Sequence, residues 1–110
     1  MNVADTRIAL DRFASPGEAV KARRLIRLAL EAGYVVSVQD GEEWTVKQSA
    51  DRMTILAAMA TTGEDRIRFR KATGERIGTA YLIYGNAHDG SELIADYTGG
   101  DEMAALVARV

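Results

Sequence analysis

The sequence predicts an α+β protein: an antiparallel five-strand sheet with helices packed on one face. Three segments carry apolar residues at helical spacing, and five segments alternate apolar with polar residues as strands do. Most connections between successive strands are short enough for hairpins, which makes the sheet antiparallel. The predicted element order is α-β-β-α-β-β-β-α. The 110 residues are 47% hydrophobic and 27% charged, a composition typical of one globular domain with its own core.

The first predicted helix begins at "SPGE". Ser15 is the N-cap, Pro16 takes the first helical position, and Glu18 three residues after the cap completes a capping box. Gly33 ends the helix at a position that favours a left-handed residue. The domain therefore spans residues 15–110. Residues 1–14 form an N-terminal segment for which a short helix and a flexible arm are both open.

Two strands follow in "YVVSVQDGEEWTVKQ". Tyr34, Val36 and Val38 share one face, and Trp44 and Val46 must share it too if they enter the same core. A loop with an odd number of residues, three or five, places Val38 opposite Trp44 and meets that condition. The pattern therefore predicts an odd loop and a core position for Trp44.

A second, strongly apolar helix is predicted in "SADRMTILAAMATTG", with Ser49 as its N-cap and Gly63 as its end. Three strands come next: "DRIRFRK", "RIGTAYLIYG" and "ELIADYT". The second of these is the most apolar and is predicted to be central. A short terminal helix follows in "GGDEMAALVARV", with Asp101 as its N-cap.

The segment "GNAHDGSE" joins the last two strands and holds the only histidine, His88. His88, Asp89 and Glu92 could serve as metal ligands or as a base with its carboxylate, but no recognised ligand spacing is present. Gly85 and Gly90 instead accept the positive φ of a long turn. We therefore interpret the segment as a hairpin with an exposed tip. No catalytic residue, cofactor or metal ligand is predicted.

Composition rules out several classes of function. The chain has no cysteine, which excludes disulfides, thiol catalysis and cysteine-ligated metal sites. The net charge of −2 is too small to predict binding to nucleic acid or to an anionic membrane. No run approaches the ~20 apolar residues that span a bilayer, and the N-terminus lacks the pattern of a secretory signal. We expect a cytoplasmic protein.

Two surfaces are predicted to bind a protein partner. The first is the sheet face that the helices leave open, around Arg66, Arg68 and Arg70, because arginine is enriched at protein interfaces. The second is the acidic final third of the chain. Its candidate residues are Asp89, Glu92 and Asp96. A homodimer through the open face is an alternative that would occupy the first surface.

Nucleic acid is the alternative partner. One side of the first helix carries a stripe of basic side chains, which is typical of phosphate contacts. These residues are Lys21, Arg23, Arg24 and Arg27. Nearby acids such as Glu31 offset the stripe and aromatic residues for base stacking are few, so a protein partner is favoured.

The motifs "DGEEW", "ILAAMATTGED", "YGN" and "IADYT" resemble those of a group of small phage and mobile-element proteins of alphaproteobacteria with no assigned activity. The resemblance covers roughly residues 17–108. It implies a small, non-enzymatic phage-type accessory protein, and by analogy an inhibitor of a host defence effector such as a CRISPR complex. No functional residue is carried over from that group.

Overall fold

A computed structural model describes residue 13 and residues 15–110. The eight elements occur in the predicted order: α1 Pro16–Glu31, β1 Tyr34–Asp40, β2 Glu43–Ser49, α2 Arg52–Ala58, β3 Glu64–Lys71, β4 Arg76–Ile83, β5 Ile94–Gly99 and α3 Asp101–Arg109. The α+β class is thereby confirmed. The expectation for the N-terminal segment lies outside the described residues, apart from Phe13, which is buried against the ring of Tyr84.

The five strands form one antiparallel sheet in the order β2-β1-β3-β4-β5. The middle position belongs to β3, so β4, predicted to be central, is an inner strand one place from the edge. Alternation puts one side of each inner strand into the core. Val36, Val38, Ile67, Phe69, Ala80 and Leu82 are buried there with residues from all three helices. We call this side of the sheet the covered face and the opposite side the open face.

Helix α1 begins as predicted, but half of its capping box is used elsewhere. The Ser15 hydroxyl oxygen accepts a hydrogen bond from the Glu18 backbone N–H at 3.2 Å. The Glu18 carboxylate does not close the box; its Oε2 accepts from the backbone N–H of Gly85 at 2.6 Å, 67 residues away. Gly33 follows the helix with φ +85°, as its predicted role requires.

The connection between β1 and β2 corrects the predicted odd loop. Asp40 pairs with Glu43, leaving a two-residue turn, and Trp44 pairs with Gln39. Val46 still reaches the covered face, opposite Val38, because a β-bulge adds one residue to β2 between these two pairs. The prediction was wrong because it assumed one uninterrupted register for Trp44 and Val46. The bulge between them places their side chains on opposite faces of the sheet.

Helix α2 is shorter than predicted. Its N-cap is Asp51 rather than Ser49, which is the last residue of β2, and it ends after Ala58 rather than at Gly63. The buried Asp65 carboxylate accepts a hydrogen bond from the Ala60 backbone N–H at 2.8 Å, and Ala60 has φ +59°. This bond takes a donor that a longer helix would use internally. In α3 the N-cap is Gly100, one residue before the predicted Asp101.

Candidate functional site

The open face carries the arginines of β3. Strict alternation directs Arg66 and Arg68 away from the core, while Ile67 and Phe69 between them are fully buried. Pairing sets Arg66 between Gln39 and Tyr81, and Arg68 between Ser37 and Thr79. The guanidinium groups therefore stand over the middle of the sheet, with β1 on one side and β4 on the other.

Two aromatic side chains hold these arginines. The Arg68 guanidinium carbon lies 4.3 Å from the centre of the Trp44 ring, and that of Arg66 lies 5.7 Å from the centre of the Tyr81 ring. Both distances fall within cation–π range. The predicted core position of Trp44 is therefore wrong: Trp44 is half-buried beside Arg68 on the open face, because the bulge in β2 separates its face from that of Val46.

A shallow depression of about 380 Å³ lies between the two stacked pairs. Arg76 and Thr79 of β4 and Asp96 of β5 contribute to its walls. Burial, followed by the nearby charges of Arg76 and Arg70, lowers the pKa of Arg68. The Nε of Arg68 is buried and has no hydrogen-bond partner among the described residues. The arginines around the depression thus carry more positive charge than its acidic side chain neutralises.

Acidic groups occupy the edge of this arrangement. The Tyr81 hydroxyl donates a short hydrogen bond to the Glu64 carboxylate, and this bond, with burial, raises the pKa of Tyr81. Asp96 is exposed and pairs with Tyr81 across β4 and β5. The open face is therefore mixed in charge, with a surplus of arginine around the depression.

The predicted site residues do not form two separate surfaces. Asp96 lies on the open face beside the β3 arginines, whereas Asp89 and Glu92 belong to the loop that follows β4. The Asp89 backbone lies so close to Gly17 at the start of α1 that any side chain at position 17 would clash with it. The acidic final third is consequently divided between the open face and the helix side. Arg70 lies near the β3–β4 turn, where its guanidinium donates to the Gly74 carbonyl at 3.0 Å.

The loop 84–93 is a hairpin connection, as predicted. Gly85 and Gly90 have φ of +90° and +80°, and the Asp89 carboxylate accepts from the Ser91 N–H at 2.9 Å. His88 is exposed, but its carbonyl accepts a hydrogen bond from the Ser15 hydroxyl at 2.6 Å. The loop thus packs on the start of α1. No cluster of three potential metal-ligating His, Cys, Asp or Glu side chains occurs within residues 13 and 15–110.

The basic stripe of α1 is partly occupied by contacts within the chain. Lys21 Nζ and Arg24 Nη1 donate to the backbone oxygen of Val110 at 2.9 and 3.1 Å. Arg27 forms an exposed ion pair with Glu31 at 3.2 Å. Arg23 lies at the other side of the stripe, near Arg52 of α2. Arg23, Arg24 and Arg27 thus line one cleft with Arg52, whereas Lys21 lies outside it.

A buried polar network on the covered face was not predicted. The Asp65 carboxylate accepts from the Tyr84 hydroxyl at 2.5 Å, and Glu18 is fully buried nearby. Burial raises the pKa of Asp65 despite the opposing effect of these hydrogen bonds, and burial together with the Asp65 charge raises the pKa of Tyr84. The network fixes loop 84–93 and the end of α2 to the core. Only the buried position of Asp65 follows from the alternation of β3.

Comparisons of the chain with protein-family models, curated proteins and solved structures gave no match. The resemblance to phage proteins therefore stays a prediction. No helix of the described residues is long and apolar enough to cross a bilayer.

Proposed function

We propose that this chain is a non-enzymatic binding module that takes a protein partner on its open face. The observation that supports this most directly is the pair of arginine–aromatic stacks, Arg68 on Trp44 and Arg66 on Tyr81, around one depression. Tryptophan, tyrosine and arginine are the residues in which binding energy at protein interfaces concentrates. Stacking also restrains the arginines before binding, so less side-chain entropy is lost on association.

The partner that fits this surface presents carboxylates around an apolar group. Arg66, Arg68 and Arg76 outnumber Asp96 and Glu64 around the depression. An arginine fork binds a carboxylate through two parallel hydrogen bonds, and the Trp44 ring offers an apolar contact. A second copy of the chain is less favourable, because an isologous dimer would bring the arginines of both copies together.

The context of this proposal comes from the sequence resemblance. The resemblance implies a phage-type accessory protein, which we place in the host cytoplasm, and a host defence effector of the CRISPR type is proposed as its partner by analogy. Such effectors carry extensive nucleic-acid contacts, so capture of the partner through bound nucleic acid must be separated from direct contact.

Single-stranded nucleic acid is the second candidate, favoured by the same rings and guanidiniums, since bases stack on aromatic side chains beside basic groups. Two features reduce its fit: Arg66 and Arg68 already stack against the two rings, and Asp96 would repel phosphates. It predicts an affinity that falls steeply with salt concentration.

A nuclease-treated pull-down from an alphaproteobacterial lysate tests the proposal, with four baits: the wild type, Trp44→Ala with Arg68→Glu, Asp89→Lys with Glu92→Lys, and Arg109→Glu. The last is a matched control, since Arg109 is exposed and lies outside the open face. We expect one protein that binds the wild type and the control and is lost with the open-face variant.

Three outcomes would overturn the proposal. Loss only with the Asp89 and Glu92 variant would move the contact to loop 84–93. Capture that requires intact nucleic acid, with a steep salt dependence, would favour the second candidate. A protein held equally by all four baits would show that neither surface is the contact. Circular dichroism on each bait establishes that it is folded.

A further inference from the structure

A second charged feature lies on the helix side of the molecule, away from the open face. Arg23 and Arg27 are one turn apart on α1, and Arg52 is the first residue of α2. With Arg24 and Val20 they line a cleft of about 200 Å³ between the two helices. Among residue 13 and residues 15–110, no acidic side chain lines it. Four arginines thus line one small space, and one of them, Arg24, also donates to the Val110 oxygen.

Arg23 and Arg52 differ from the other basic residues nearby. Lys21, Arg24 and Arg27 each bond to an oxygen of the chain. The Nε atoms of Arg23 and Arg52 are buried and have no hydrogen-bond partner within residues 13 and 15–110. A buried donor without a partner loses its bonds to water and gains none in return. Arg23 and Arg52 both line the cleft, so a hydrogen-bond acceptor bound there would give these two side chains a partner.

The electrostatics of the cleft agree with this geometry. Burial, followed by the charges of Arg23 and Arg27, lowers the pKa of Arg52. The positive charges of these neighbouring arginines repel one another, and an anion between them would offset that repulsion. Guanidinium groups match the oxygens of a phosphoryl group particularly well, since their planar forks form paired, charge-assisted hydrogen bonds.

We propose that the cleft between α1 and α2 binds a phosphate-type oxyanion, held by Arg23 and Arg52 with Arg27 at its exposed edge. The cleft is smaller than the pockets of about 300–1,000 Å³ that hold drug-sized ligands, so it fits a phosphoryl or pyrophosphoryl group. A track along nucleic acid needs basic groups spread over a surface, whereas here the arginines gather around one cleft and Lys21 donates to the Val110 oxygen. The site is independent of the open face and its partner.

Titration with inorganic phosphate and pyrophosphate tests the site, with ionic strength held constant by sodium chloride. A ligand that binds the native state raises the melting temperature with its concentration. We expect this rise for the wild type and for Arg109→Gln, which removes the same charge from an exposed position outside the cleft. In Arg23→Gln and Arg52→Gln the dissociation constant should rise by about tenfold or more, since each loses a charged hydrogen bond.

Arg52→Lys keeps the positive charge but removes the planar guanidinium with its paired donors. This variant should bind phosphate more weakly than the wild type but more tightly than Arg52→Gln, whereas a variant that fails to fold would not bind at all. Arg52→Gln without ligand should melt at or above the wild-type temperature, because it removes like-charge repulsion. Competition by a short single-stranded oligonucleotide at low salt would identify nucleic acid as the phosphate source, and its failure a free phosphoanion. No rise in melting temperature, or an equal rise in all variants, would overturn the proposal.

Discussion

The two faces of the sheet are built from the same strands but are ordered by different interactions. On β3, Ile67 and Phe69 are fully buried against the helices, while Arg66 is exposed and Arg68 half-buried on the other side. The covered face owes its order to apolar burial. The open face is ordered by guanidiniums stacked on rings, which contributes far less to stability. One face therefore holds the fold together, and the other is free to change with little effect on it.

The largest expected effect is on the covered face. Phe69→Ala removes a fully buried ring and should lower the free energy of unfolding by about 3–5 kcal/mol, because transfer energy is lost and a cavity forms. Arg68→Ala, one residue away on the other face, should cost under about 1 kcal/mol. Urea unfolding followed by circular dichroism measures both. Equal losses would mean that the open face contributes as much to the free energy of unfolding as the covered face.

A smaller effect, and one that depends on pH, is expected at Asp65, the carboxyl group on the covered side of β3. Burial raises its pKa, the hydrogen bonds from Tyr84 and Ala60 oppose the shift, and the nearby Asp40 charge adds to it. A raised pKa means that the folded state holds the proton more tightly than the unfolded state. The Asp65 contribution to stability is therefore greatest at acid pH and declines as pH rises through the folded pKa.

Asp65→Asn removes this titration. The difference in unfolding free energy, wild type minus variant, should fall as pH rises from about 4 and then level off, at no more than about 1.4 kcal/mol per pH unit. Asp51→Asn is a control of opposite sign, since a hydrogen bond from Thr54 lowers the pKa of Asp51. Its difference should increase with pH. An Asp65 difference that also increases with pH would contradict the assignment.

The smallest expected effect is the coupling energy between Trp44 and Arg68 on the open face. A double-mutant cycle on Trp44→Leu and Arg68→Gln should give a coupling of about 0.5–1 kcal/mol, the value of a partly exposed cation–π pair. The same cycle on Trp44 and Arg109 supplies a control without contact. No coupling between Trp44 and Arg68 would indicate that the ring does not hold the guanidinium in place before a partner binds. Preorganisation of Arg68 would then not contribute to affinity.

Local patterns were enough to predict the elements and the faces of most strands. The alternation in "DRIRFRK" places Arg66 and Arg68 on the open face, as the structure has them. The alternation in "TAYLI" places Tyr81 there too, so this residue of the site could have been found. Trp44 could not, because a one-residue bulge leaves no mark in the periodicity. At the bulge, the Thr45 hydroxyl donates to the Val38 carbonyl at 3.3 Å.

Long-range polar contacts were also beyond the sequence. Glu18 is three residues from the N-cap, which favours a local role, yet its carboxylate bonds to Gly85. Arg23 and Arg52 come together only because α1 and α2 pack side by side. Neither pairing has a local signature, since partners distant in the chain are brought together by the packing of apolar faces. Packing of this kind places the helix-side cleft and the buried network alike.

The irregular register of β2 also determines how well this edge of the sheet can pair with a strand of another molecule. As an edge strand of the sheet formed by residues 15–110, β2 has a backbone side without a neighbour there, and a regular edge would accept a strand from another molecule. Its register shifts twice against β1, and Gln48 has φ +48°, which bends the strand and interrupts its row of donors and acceptors. The two irregularities, one beside Trp44 and one beside Gln48, therefore make this edge a poor template for a strand of another molecule.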